Sequence, residues 1–409
     1  MKVLMFDHIY RLNPIFEITP VEKLTDSQKT RFSRVLERKR IHALLIAPDH
    51  TKITVKTLGR DIADFLQHLR EPKRITDLPD RFNEGPEAER KEFIAKLVLD
   101  TVLEVQGGDG FISGVEAVSG VLFPSTATAR RSVGDTLNRI QSLSLEAIGF
   151  VLESAAEDPR DISAFLYNFN RLPLCTRWRE RFPDEEAVAG FLDLSSDNTW
   201  TGMPGSVRMK STGADAPEDT KIFDLFWRYW TFREQPEARE TLNHKIYVSP
   251  LPEDLPAVFG IVRKMAAEGE AHSMKIGRHV TELLRSDKLI IYFAGHGAAI
   301  EFAAELAGKL ARFEGQGVPF SYQPDRENPI VSVGVDPPKR LGERNSWRRY
   351  ITDRLALAVQ DVRRTGTGDR IGRIRTYMRM HGIDIDEWRP ASNDWSVPFE
   401  QEEQILGEN

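Results

Sequence analysis

Three short segments of this 409-residue chain carry lysine, tyrosine, serine and arginine at spacings suited to chemistry on an anion. In Lys245-Ile-Tyr-Val-Ser249 a strand's period of two puts Lys245, Tyr247 and Ser249 on one side and Ile246 and Val248 on the other. His272-Ser-Met-Lys-Ile-Gly277 repeats the pattern, with Ser273 and Lys275 together and Met274 and Ile276 opposite. Arg285-Ser-Asp-Lys-Leu-Ile-Ile-Tyr292 aligns Lys288, Ile290 and Tyr292. If the three segments share a sheet, its polar side presents lysines and tyrosines in one concavity, a surface suited to phosphate or another anion. A lysine crowded there loses basicity and becomes able to take up a proton. An antiparallel sheet with one solvated face gives the same alternation with no function attached.

Together, Lys245-Ile-Tyr-Val-Ser249, Met274-Lys-Ile-Gly277 and Arg285-x-Asp287 ahead of Ile290-Ile-Tyr-Phe293 resemble the HopA-type effector domain. That domain is also known as the lyase component of the dehydratases that make dehydroamino acids in ribosomal peptides, including class V lanthipeptides and thioamitides. It is distantly similar to the phosphothreonine lyases, which carry Lys-x-His-x-Ser and Lys-x-Lys on neighbouring strands. The resemblance covers about residues 240–365. It implies that Lys275 removes the α-proton of a phosphorylated residue and that Lys245 holds the phosphate or the developing enolate. Arg285 matches a phosphate-binding arginine and Tyr292 a tyrosine near the end of the third strand. Tyr247 stands where the phosphothreonine lyases have their acid histidine, and Ser273 replaces the first lysine of Lys-x-Lys. A phenol, with an ordinary pKa of about 10, is still able to protonate a leaving phosphate. His244 and His272 have the opposite parity and are expected to point away.

The resemblance implies a phosphoserine/phosphothreonine lyase that eliminates phosphate from a precursor peptide, with no metal or organic cofactor. No kinase signature is present, neither Val-Ala-Ile-Lys behind a Gly-rich loop nor His-Arg-Asp. A separate kinase is therefore expected as supplier of the phosphate and as partner in a complex. The alternative is a non-catalytic scaffold, a degenerate lyase fold that binds a phosphopeptide or leader peptide; Tyr247 and Ser273 keep it open. Eleven Lys/Arg crowd residues 339–375, a run that most often forms a solvated helix face. Arg344, Arg348 and Arg349 are the exceptions expected to reach phosphate, since they open the last long helix, where the helix N-terminus also favours an anion. Gly295-His296-Gly297 lacks the rest of any nucleotide motif and reads as a turn.

Composition narrows the class. With 40% apolar and 29% charged residues the chain is globular, and no apolar run is long enough to span a membrane. A net charge of −6 argues against nucleic acid as a partner. One cysteine, Cys175, excludes an internal disulfide and suits a reducing cytoplasm, and nine scattered histidines form no metal spacing. The elements that must position the site form an α+β protein. Residues 1–194 are expected to be a mainly helical domain that binds a partner or the leader, with one hairpin over 42–56. A Gly/Pro linker is expected over 195–220, an α+β lyase domain over 221–382 and an acidic surface tail over 383–409. The aromatic run 222–230 is expected as a helix packed between the domains, because its rings occupy too many faces for a surface helix. Strands are expected over 245–249, 273–276, 288–293 and 330–335, and helices over 254–268, 298–312 and 347–364.

Overall fold

The computed structural model describes residues 7–37, 41–48, 53–83, 86–108, 110–122, 137–154, 156–194, 208–209, 226–233, 243–337, 346–366 and 368–391. The protein is α+β, with antiparallel sheets and helices packed on them. Its chain divides into two compact units, Met1–Val133 with Pro173–Pro183, and Gly134–Leu172 with Asp184–Asn409.

The first unit is less helical than its sequence suggests. It holds strands β1 (Ile9–Leu12), β2 (Glu17–Pro20), β3 (Ala43–Pro48), β4 (Ile53–Leu58), β5 (Lys73–Arg74), β6 (Leu103–Gly107) and β7 (Gly110–Ile112) in two antiparallel sheets, β5-β1-β6-β7 and β2-β3-β4. The hairpin expected over 42–56 is β3–β4. The others are short, and the four or fewer residues of β1, β2, β5 and β7 are too few for a period of two to stand out from a helical window. Helices α1 (Arg60–His68) and α2 (Glu87–Leu99) also belong to this unit, whose core includes Leu66, Ile94, Val98 and Leu103.

The division departs from the boundary expected at 194. Helices α3 (Arg139–Glu153) and α4 (Pro159–Asn168) count with the second unit, because Ala147, Ile148, Val151, Ile162 and Leu166 share one core with Trp347, Ile351 and Leu355. Apolar periodicity shows that a helix buries one face, not which neighbour covers it. The second unit is built on a six-stranded antiparallel sheet. Its strands are β8 (Arg208–Met209), β9 (Trp227–Thr231), β10 (His244–Val248), β11 (Ser273–Gly277), β12 (Leu289–Phe293) and β13 (Val331–Val335), in the order β13-β10-β12-β11-β9-β8. The aromatic run is thus a strand where it is described, and its residues 222–225 lie outside the described residues. Bulky aromatics that look surplus on a helix alternate on a strand: Trp227 and Tyr229 face one way, Arg228 and Trp230 the other. Apart from β8, the expected linker also lies outside the described residues.

One face of this sheet is apolar. Helices α5 (Leu255–Glu268) and α6 (His296–Leu310) cover it, with Phe259 against Trp230 and Phe302 against Phe293. The other face carries the polar alternation, yet it is not a wet face. Helix α7 (Trp347–Thr365) lies over part of it, burying Trp347, Tyr350 and Ile351 with Tyr247 and Ile290. Helix α8 (Arg370–Met380) is followed by a hairpin of β14 (Ile383–Asp384) and β15 (Arg389–Pro390). That hairpin corrects the expected surface tail: Ile383, Ile385 and Trp388 are buried in the core, while residues 392–409 lie outside the described residues. Burial of these three apolar side chains outweighs the acidic residues around them.

Candidate active site

The strand register fixes which side chains meet. Lys245 lies opposite Tyr292, and Tyr247 opposite Ile290. Ser273 and Lys275 lie opposite the same two residues from the other side of β12, and Lys275 also faces Tyr229 on β9. Directly paired residues share a face of a sheet, so Lys245, Tyr247, Tyr292, Ser273 and Lys275 all project toward one side, with Trp227 and Tyr229 beside them. Both lysine Nζ atoms sit over the Tyr292 ring, at 5.4 Å for Lys245 and 5.8 Å for Lys275. His244 and Met274 go to the opposite face, where the His244 ring lies 5.3 Å from that of His296 of α6, tilted by 57°.

Lys275 is the electrostatically unusual group. Its Nζ lies 4.3 Å from the Trp227 ring centre and 3.5 Å from the Tyr229 hydroxyl, and no carboxylate is paired with it among the described residues. Burial and the nearby Lys245 push its pKa down to about 7. Lys245 differs: its Nζ pairs with Asp336 Oδ2 at 2.5 Å. The other Asp336 oxygen accepts the backbone N–H of Trp347, so one carboxylate ties Lys245 to the first turn of α7. A second amine, Lys288, is fully buried just before β12 and donates to the Pro250 carbonyl and the Gln316 side chain, with burial lowering its pKa to about 7. Its partners lie away from Lys275, at the strand end.

Arginines close one end of the face. Arg285 gives Asp287 two hydrogen bonds, 2.7 Å from Nε and 3.0 Å from Nη2. Arg348, in the first turn of α7 and 1% exposed, pairs with the same carboxylate at 2.8 Å. Burial works against the charge of Asp287, but the two guanidiniums hold its carboxyl far below the usual carboxylate range. Tyr167 of α4 completes the group: Arg285 donates to its hydroxyl at 3.2 Å, and Arg348 donates to its carbonyl at 2.7 Å. Of the arginines expected to reach phosphate, Arg348 joins the group, Arg349 pairs instead with Asp353 one turn along, and Arg344 lies outside the described residues. Much of the remaining basic run is spent internally: Arg363 caps the end of α3 through backbone carbonyls, Arg373 pairs with Asp361 and Arg375 with Asp386.

Tyr247 is less available than its strand position suggests. It is 2% exposed, and burial raises its pKa well above that of a free phenol. Its ring lies against Gly334, where an added Cβ would stand 2.9 Å from Tyr247 Cε2 and 2.7 Å from Trp347 Cδ1. Burial also raises Tyr292, with Tyr229 adding to it. Four residues of the group are not singled out by motif or alternation: Tyr167, Trp227, Tyr229 and Asp336. Asp287 is visible in Arg-x-Asp, and Trp227 and Tyr229 follow from reading 227–231 as a strand. Tyr167 and Asp336 carry no signal in the sequence.

No protein-family model matches the chain, and no curated protein sequence matches it. Among solved structures it is similar to an effector protein from Pseudomonas syringae pv. tomato, at 11% identity and a TM-score of 0.41, covering 61% of this chain and 96% of that one. It is also similar to the phosphothreonine lyase effector VirA (SpvC) of Chromobacterium violaceum, at 13% identity and a TM-score of 0.25, covering 38% and 80%. For the type III effector and phosphothreonine lyase OspF of Shigella flexneri the values are 14%, 0.23, 37% and 91%. These are distant similarities. Among the described residues no three His, Cys, Asp or Glu side chains gather as metal ligands, and no helix is long and apolar enough to cross a membrane.

Proposed function

We propose that the second unit is a phosphoserine/phosphothreonine lyase acting on a precursor peptide phosphorylated by a separate kinase. The product is a dehydroamino acid in a ribosomally made peptide. The observation that carries this reading is one half-buried lysine of lowered pKa, Lys275, sharing a sheet face with a second lysine and an adjoining arginine pair. An α-proton of a peptide residue is weakly acidic, so its removal needs a base that is neutral near pH 7 and cations where negative charge develops. Lys275 fits the base and Lys245 the cation beside the carbonyl oxygen. Arg285 and Arg348 present guanidiniums, the side chains best matched to phosphate oxygens.

The test is incubation of the protein with a phosphothreonine peptide, in the presence and absence of a kinase encoded beside it. The expected outcome is release of phosphate and a peptide lighter by one phosphoric acid. Lys275→Ala loses about 10²–10⁴-fold or more in rate, as removal of a general base does. Arg285→Ala mainly weakens substrate binding, since the phosphate contact exists before and during reaction. A second reading, a phosphopeptide- or leader-binding scaffold, is favoured by one feature: Arg285, Arg348 and Lys245 are already paired with Asp287 and Asp336, which offset two of their three positive charges. Tight phosphopeptide binding without any elimination over hours selects the scaffold.

A further inference from the structure

The phosphate leaving group needs a proton, and the tyrosine placed by strand register to give one is walled in. A dianionic phosphate ester that loses its bond to carbon departs as a trianion, a strongly basic leaving group. Tyr247 is packed against Gly334 and Trp347 with 2% of its surface exposed. Tyr167 stands differently. It projects from α4, on the arginine side of the group, and is half-buried. Its ring lies 5.4 Å from the Arg285 guanidinium and 4.8 Å from that of Arg348. Its hydroxyl accepts from Arg285 Nη2 and, among the described residues, has no acceptor for its own proton. Arg285, which donates to that hydroxyl, lies 5.4 Å from the Trp227 ring centre, and Lys275 Nζ lies 4.3 Å from the same ring, so the hydroxyl belongs to the arginine group that adjoins Lys275. A phenol that accepts a hydrogen bond from a cation is polarised toward giving up its proton.

We infer that Tyr167 is a catalytic residue, the donor that protonates the departing phosphate. This deepens the lyase reading and rests on it. In the step, Lys275 Nζ takes the α-proton and the C–H electron pair becomes the Cα=Cβ bond. The Cβ–O bond breaks with its pair leaving on the phosphate oxygen, which receives the Tyr167 proton. The phenolate left beside Arg285 recovers a proton from water, and the Lys275 ammonium releases one.

The experiment compares wild type and Tyr167→Phe on a phosphothreonine peptide between about pH 5 and 8.5, reading phosphate release and melting temperature. Phenylalanine keeps the ring against both guanidiniums, so an unchanged melting temperature is expected. At the alkaline end Tyr167→Phe should be slower by about 10²-fold, the usual size for loss of a general acid. Below about pH 6, the second pKa of a phosphate ester, the substrate carries its own proton and the ratio of the two rates should shrink toward one. Taking the ratio at each pH removes the titration of Lys275, which is common to both proteins. A fluorinated tyrosine at position 167, a stronger acid of similar shape, should match or exceed the wild type. The inference is overturned if Tyr167→Phe stays within about twofold of wild type at the alkaline end, or if the ratio is constant across the range. Should the wild type release no phosphate at all, the lyase reading is lost and this inference with it; elimination by the wild type with an unimpaired Tyr167→Phe loses only the inference.

Discussion

Removing Lys245 is the sharpest probe of the electrostatics that make Lys275 a base. The two lysines stand on β10 and β11 with β12 between them, two residues out of register, and their Nζ atoms, 5.4 and 5.8 Å from the Tyr292 ring centre, stand about 10 Å apart across it. At an effective dielectric of about 20, unit charges at that distance repel by ~1.7 kcal/mol. Converted at about 1.4 kcal/mol per unit, this holds the Lys275 pKa down by roughly 1.2 units. In Lys245→Met that push disappears, and the freed Asp336 carboxylate adds an attraction of the same sign. Lys275 should therefore rise from about 7 to above about 8, and its neutral fraction at pH 7 should drop from about a half to about one in twenty. The assay is the pH dependence of kcat/KM for elimination, checked by NMR titration of the Lys275 side chain, which requires no turnover. Loss of Lys245 also lowers the height of the profile through its own role at the carbonyl, but the substrate phosphate, with a pKa of about 6, titrates alike with both proteins, so the displacement of the acid limb between them reports Lys275. An acid limb that stays put or moves to lower pH refutes the reasoning.

Three further outcomes follow from the same contacts. Asp287→Asn leaves two buried guanidiniums without their shared carboxylate and should cost about 3–5 kcal/mol in denaturant unfolding, as removal of one member of a buried ion pair does. Lys288 is lowered to about 7 in the folded protein, so between about pH 7 and 10.5 the unfolded chain binds its proton and the folded one does not; stability should rise with pH there, by up to about 1.4 kcal/mol per pH unit from this group, and Lys288→Met should flatten that slope. Gly334→Ala should destabilise by about 1–3 kcal/mol and displace Tyr247, visible as a lower melting temperature and altered tyrosine signals, because the added Cβ has no room beside Trp347.

The legible part of the site lies in its local chemistry. Strand alternation alone groups Lys245 with Tyr247 and Ser273 with Lys275, because a period of two is a covalent property of extended chain, and the fold keeps both groupings. The same logic sends His244 to the far face. Legibility fails where a residue's meaning depends on a neighbour far along the chain. The aromatic run at 227–231 has strand-forming residues, yet its pairing with Ser273–Gly277 is needed to make it a strand. Ile383, Ile385 and Trp388 read as parts of an acidic arm and are core.

The amino-acid sequence by itself determined the α+β class, the main strands of the polar sheet and the parity of its lysines, since these follow from alternation and short-range sterics. Tertiary structure alone decided which charges meet. Asp287 joins Arg285, two residues away, to Arg348, sixty-one residues on, and Asp336 joins Lys245 to the start of α7. Tyr167 reaches Arg285 from α4, which lies within residues 1–194, the stretch read from the sequence as a separate domain. Electrostatic energy depends on distance and on how much water is excluded, and neither is written in the spacing of residues along a chain. That is why Lys245 and Lys275, alike in type and parity, differ in the fold: one is paired with a carboxylate and the other is held near neutrality among aromatic rings.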